Sequence, residues 1–252
     1  MNWCDKLAST PTVGFTLSHH FASSDGVLSA LSPILNAMLD NDEKPTFEVG
    51  IALPFGLTMT TEDGFQYNAD ASKISVAFVH RIRARPTSGG PPIMQMLSHP
   101  LPFTQLLPQV LERLVEATLN LPEAKKRTVK RVGIVTQTRA TEEESPPGIR
   151  RFIRYVSRPW GTLDSYSFQI TSELSKTDSW SDRCVHTITQ PEDREELPSL
   201  VFDWQRSFSE GRQIAPDSLK EIIGHAQRSA TNYFEELAEG NRFNDDNTDS
   251  AA

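Results

Sequence analysis

Arg150, Arg154 and Arg158 recur at four-residue spacing, with Arg151 beside the first of them. On a helix this spacing stacks the guanidinium groups along one side. Ile149, Phe152, Ile153 and Val156 fill the opposite side, the pattern of a short amphipathic helix. Arg81, Arg83 and Arg85 alternate along a segment of strand character, which places them on one face. Arginine is the side chain best suited to two-pronged contact with phosphate or carboxylate. Positive charge is also concentrated. Ten basic residues lie between Lys125 and Arg158, opposed only by Glu142, Glu143 and Glu144, in a chain whose formal net charge is −8.

Three readings of this basic surface compete. It pairs with the protein's own acidic half or tail, it meets an acidic protein partner or a second copy, or it recognises phosphate in a nucleotide or nucleic acid. Aromatic stacking platforms strengthen the last reading. Phe152 and Tyr155 lie nearby, but Phe152 belongs to the apolar side of the helix.

Other chemistry finds little support. There is no G-x-G-x-x-G and no G-x-x-x-x-G-K-[ST]. Gly89-Gly90 runs into Pro91-Pro92, which removes the amides that a phosphate cradle requires. No serine sits in a G-x-S-x-G turn. None of His19, His20, His80, His99, His186 and His225 stands in a metalloprotease-like context. His19 and His20 are adjacent and would point to opposite faces of a strand, which disfavours shared chelation. Cys184 and His186 share a strand face, so they read either as an activated thiolate pair or as a buried cysteine beside a strand histidine; the second reading carries more weight. Asp203, between Phe202 and Trp204, points away from both and either holds a cationic group or is simply a solvated strand residue or one half of a cross-strand ion pair; the second reading carries more weight. Glu142-Glu143-Glu144 reads as an exposed loop. No catalytic, metal-ligating or cofactor-binding set emerges, and the expectation is a chain without metal or cofactor.

The chain of 252 residues, 37% of them hydrophobic and 23% charged, is long enough to bury a sizeable core and too apolar for wholesale disorder. Its acidic balance gives no global pull toward nucleic acid or anionic lipid. Two cysteines, Cys4 and Cys184, form no disulfide framework. The opening Met-Asn-Trp-Cys-Asp-Lys lacks the features of a signal peptide. The long uncharged run from Pro86 to Leu111 carries too many prolines for a membrane helix. A reduced cytoplasmic setting, without membrane contact, is expected.

The elements that would position these residues read as follows. Leu219, Ile222, Ile223, Ala226, Ala230, Tyr233, Phe234 and Leu237 form one stripe of a helix that begins near Pro216 and ends at Gly240. Phe103 to Leu119 carries a similar stripe, and a weaker one covers 25–39. A short helix spans Gly148 to Val156. Strand character marks Val13–Leu17, Phe47–Leu53, Thr58–Thr61, Phe65–Asn68, Ile74–Ile82, Val129–Arg139, Leu163–Ser172, Arg183–Gln190 and Leu200–Phe208. Glu62-Asp63-Gly64 makes a hairpin turn. This order predicts an α+β fold in which long helices cover an antiparallel sheet. It predicts an internal duplication of two β-α-β-β-β-α halves, 1–123 and 124–240, followed by a disordered acidic tail, 241–252.

The second half resembles a sporadically distributed bacterial family of uncharacterised proteins. The resemblance rests on the basic, apolar strand Arg127–Thr136, the short helix with Phe152 and Tyr155, the pair Phe202-Asp203, and Phe234-Glu235 near the end. It covers about Arg127 to Leu237, implies a bacterial cytoplasmic setting and brings no catalytic residue. The resulting expectation is a non-enzymatic binding or protein-interaction module that joins a protein partner or a second copy through its arginine surface. The alternative is an enzyme or binding protein acting on a phosphorylated or nucleic-acid ligand, in a bacterial defence or toxin–antitoxin setting.

Overall fold

The computed structural model describes residues 11–18, 32–33, 35–37, 40, 46–49, 57–70, 72–87, 89–98, 101–121, 124–139, 147–160, 163, 165–192 and 198–239. The helix read over 25–39 falls mostly outside them, although the described residues between 32 and 40 are helical. His19-His20, Glu142–Glu144 and the tail 241–252 lie outside the described residues.

Alternation of apolar and polar residues builds the strands. In β1 (Thr12–Leu17), Val13, Phe15 and Leu17 turn inward while Thr12, Gly14 and Thr16 turn outward. The same period of two runs through most of β3 (Leu57–Thr60), β4 (Phe65–Ala69), β5 (Lys73–Phe78), β8 (Thr128–Arg139), β9 (Tyr166–Lys176), β10 (Trp180–Gln190) and β11 (Ser199–Gln213), and β2 (Thr46–Val49) joins them. These nine strands form one sheet in the order β2-β3-β4-β5-β1-β8-β11-β10-β9, antiparallel throughout. β6 (Ile82–Thr87) and β7 (Gly90–Met96) make a separate two-stranded hairpin.

Register aligns the inward residues into rows. Met59, Tyr67, Val76, Val13, Ile134, Trp204 and Cys184 follow one another across seven strands, and all are buried. Each Val, Ile or Met side chain of the row, fully withdrawn from water, stabilises the fold by about 1.5–3 kcal/mol before entropy is counted. Helix α1 (Phe103–Leu119) lays Phe103, Leu106, Leu107, Val110, Leu111 and Leu114 on this face. Arg113 secures its flank. Its guanidinium stacks 3.9 Å over Phe65, donates to the Tyr67 hydroxyl at 3.2 Å and meets Asp63 at 3.0 Å. Helix α3 (Pro216–Glu239) buries Leu219, Ile222, Ala226, Ala230 and Tyr233. The side chain of Phe234, expected mid-stripe, lies outside the described residues. Between β8 and β9 comes the short helix α2 (Pro147–Ser157).

The expected fold class is overturned. The molecule is mostly antiparallel sheet rather than a sheet covered by long helices. Described contacts place α1 against β1 and β5, and α3 against β8 and β11, so the helices sit over the middle while the sheet extends beyond them on both sides. Nor does the first segment read β-α-β-β-β-α: it supplies five strands to the sheet and two more to the hairpin. The cause is the run from Arg81 to Leu97. Read as the end of one strand and then a proline-rich connection, it forms the extra hairpin. Prolines fit there because the hairpin's outer edges require no ladder hydrogen bonds. Across the junction of the two segments, β1 and β8 pair directly, Val13 opposite Ile134.

Candidate binding surfaces

The arginine row lies on α2 and the turn after it, Arg158–Trp160. Pro147 suits the first helical turn. The structure divides the row. Arg150 is half-buried, and its Nε is enclosed without a hydrogen-bond partner among the described residues. Arg151, Arg154 and Arg158 are exposed. Ile153 packs toward the core. Tyr155 is 80% exposed and Trp160 76%, so two large rings share this segment with three exposed guanidinium groups.

The second row is differently placed from the expectation. Arg81 precedes β6, and its Nη1 donates to the Thr61 carbonyl at 3.0 Å. Arg83 and Arg85 lie on β6; Arg83 approaches Glu62 at 3.7 Å, and Arg85 is exposed. Pairing sets Arg83 opposite Gln95 and Arg85 opposite Ile93 on one face of the hairpin, and Ile82 opposite Met96 and Ala84 opposite Met94 on the other. All eight of these residues are exposed.

Cys184 and His186 do share a face, but it is the inner one, and both are buried. His186 sits against Phe202, and its Nε2 is hydrogen-bonded to the Tyr233 hydroxyl of α3. A thiolate nucleophile enclosed in the core meets no substrate.

Asp203 turns to the opposite face, which no described helix covers, while Phe202 and Trp204 are buried. Around it lies a hollow of about 300 Å³, lined by Thr12, Gly14, Thr16, Lys73, Ser75, Arg131, Gly133, Val135, Asp203 and Gln205 among others. Gly14 and Gly133 are directly opposed on β1 and β8, with Ser75 and Gln205 as their outer neighbours. Gln205 organises the polar groups. Its Oε1 accepts from Arg131 Nη1 at 3.2 Å and from Arg183 Nε and Nη2 at 3.1 and 2.8 Å. Its amide donates to Asp203. Burial pushes the Asp203 carboxyl up, against the hydrogen bond from Gln205 and the charges of Arg131 and Arg183. Sequence reading reached Asp203 but not the cluster. The outward positions Thr16, Arg131, Arg183 and Gln205 become neighbours only once the register is known. A second hollow of about 320 Å³ adjoins this one at Thr12 and Val135.

Among the described residues no group of three or more His, Cys, Asp or Glu is placed to hold a metal ion. No described helix is long and apolar enough to cross a membrane. No family model matches the chain, and no curated protein or solved structure matches it.

Proposed function

We propose that the chain is a non-enzymatic binding module of the bacterial cytoplasm, with α2 and the following turn as its contact surface for an acidic protein partner. The observation that carries this reading is the exposure of Tyr155 and Trp160 beside Arg151, Arg154 and Arg158. Large aromatic residues and arginine are the types that concentrate at interfaces and dominate their energetics. Guanidinium groups select carboxylates on the partner, and the rings supply apolar area at low entropic cost.

A second reading rests on the same rings. Tyr155 and Trp160 are flat platforms beside cationic groups, an arrangement that suits single-stranded nucleic acid. The test compares wild type with the variant Tyr155→Ala/Arg154→Ala/Trp160→Ala. Partners cross-linked in the native host are identified by mass spectrometry, and binding to a single-stranded oligonucleotide is measured across salt concentrations. Loss of a specific acidic partner in the variant supports the protein reading. Salt-dependent oligonucleotide binding lost in the variant supports the second. A partner or oligonucleotide held equally by both proteins overturns the assignment to this surface.

A further inference from the structure

The hollow on the sheet face opposite α1 and α3 has a floor, two ends and an uneven charge. Its floor is the opposed pair Gly14 and Gly133. Gly14 is dictated by packing, since a Cβ there would come within 2.9 Å of Ser75 Cβ and 3.2 Å of the Ile74 carbonyl. Gly133 is not. A Cβ at that position would meet its nearest neighbours at 3.7 and 3.9 Å, ordinary contact distances. Glycine inside a strand weakens it, so Gly133 costs stability that the local packing does not demand. What its missing side chain leaves is open space between Ser75 and Gln205.

One end of the hollow is cationic. Lys73, Thr16 and Arg131 stand in a single register row across β5, β1 and β8. The other end is the row Thr12, Val135 and Asp203. The rows are four residues apart on β1, β8 and β11, with the glycine row between them, a rise of ~13 Å that side chains leaning inward shorten. Among the described residues Lys73, Arg131 and Arg183 have no carboxylate within ion-pair distance. Among the residues that line the hollow, two cations, Lys73 and Arg131, therefore stand with one acid, Asp203, within a chain that is acidic overall. Arg131 and Arg183 are pinned by Gln205, which fixes the positive groups before any ligand arrives.

We propose that this hollow binds a small zwitterionic amino carboxylate of dipeptide length. Its carboxylate meets Lys73, Thr16 and Arg131, its ammonium group meets Asp203, and its backbone lies over Gly14 and Gly133. A volume of about 300 Å³ admits a molecule of this size. A phosphate dianion gains the cationic end but nothing from Asp203, so the zwitterion is the better match. This site is separate from α2, and the two stand or fall independently.

The test is titration calorimetry on the full chain with the glycyl dipeptides of the twenty protein amino acids. For each that binds, its methyl ester, its N-acetyl derivative and inorganic phosphate follow. The expected result is binding in the micromolar to millimolar range by at least one of them, weakened about tenfold or more by either chemical cap. Gly133→Ala fills the floor and should lower affinity about tenfold or more, while the melting temperature stays the same or rises. Arg131→Gln should erase the preference for the free acid over the ester, and Asp203→Asn the preference for the free amine over the acetyl derivative. The proposal fails if nothing binds at about 10 mM, if phosphate or the capped forms bind as well, or if Gly133→Ala binds like wild type.

Discussion

Arg206 on β11 and Asp182 on β10 face each other in register with both prongs engaged, Nε to Oδ1 at 2.6 Å and Nη2 to Oδ2 at 2.7 Å. Both are buried, and the guanidinium also lies 3.9 Å over the Trp180 ring. Removing one partner strands the other charge away from water. Asp182→Ala should therefore destabilise the fold by about 3–5 kcal/mol, whereas the double variant Asp182→Leu/Arg206→Met should recover most of that loss. Denaturant melts of the three proteins check this, and a double variant no better than the single one contradicts it.

His186 and Tyr233 tie the sheet to α3 through their hydrogen bond. Tyr233→Phe keeps the ring and leaves the buried imidazole without that donor or acceptor. A loss of about 1–3 kcal/mol is expected in equilibrium unfolding.

Gly64 closes the β3–β4 turn with φ of 97°, and a Cβ there would lie 2.6 Å from the Val79 carbonyl and 2.7 Å from Ser98 Cβ. Gly89, in the β6–β7 turn, has φ of 85° and no atom within 4 Å of a Cβ. Gly89→Ala should cost about 1–2 kcal/mol for its conformation alone. Gly64→Ala adds steric overlap and should cost distinctly more. Thermal melts rank the two, and equal costs would contradict the steric argument.

Asp203 makes stability depend on pH in a definite direction. Burial holds its carboxyl above the ordinary value, so the folded chain keeps that proton more readily than the unfolded one. Its contribution to stability is complete below the ordinary carboxylate range and is lost as pH rises through the folded-state value. Asp203→Asn does not titrate. Melting temperatures measured between about pH 3 and pH 7 should shift in the variant's favour relative to wild type as pH rises. A constant difference across that range contradicts the prediction.

Elements with a strong period were legible in the residues. The stripe of α1 gave Phe103 to Leu119, the bounds observed, and Glu62-Asp63-Gly64 marked the β3–β4 turn. The opposed directions of Asp203 and its aromatic neighbours followed from alternation alone. β7 was not legible, because Pro91 and Pro92 argue against a strand unless it is known to lie at an edge. The predominance of sheet over helix escaped for a related reason: helix stripes are long and conspicuous, whereas short strands are individually faint. The hollow was hidden more deeply. Gly14 and Gly133 are unremarkable apart, and only the β1–β8 register makes them neighbours.

That seam also orders events during synthesis. β1 leaves the ribosome well before the strand that pairs with its second side, Thr128–Arg139, which follows more than a hundred residues later. Until then β1 can pair only with β5, and its other ladder of amides and carbonyls stays bare. Closing so long a loop is slow in its own right. The nascent chain thus carries, in its most central strand, an edge that a neighbouring chain can capture, and the arrival of β8 is the step that removes it.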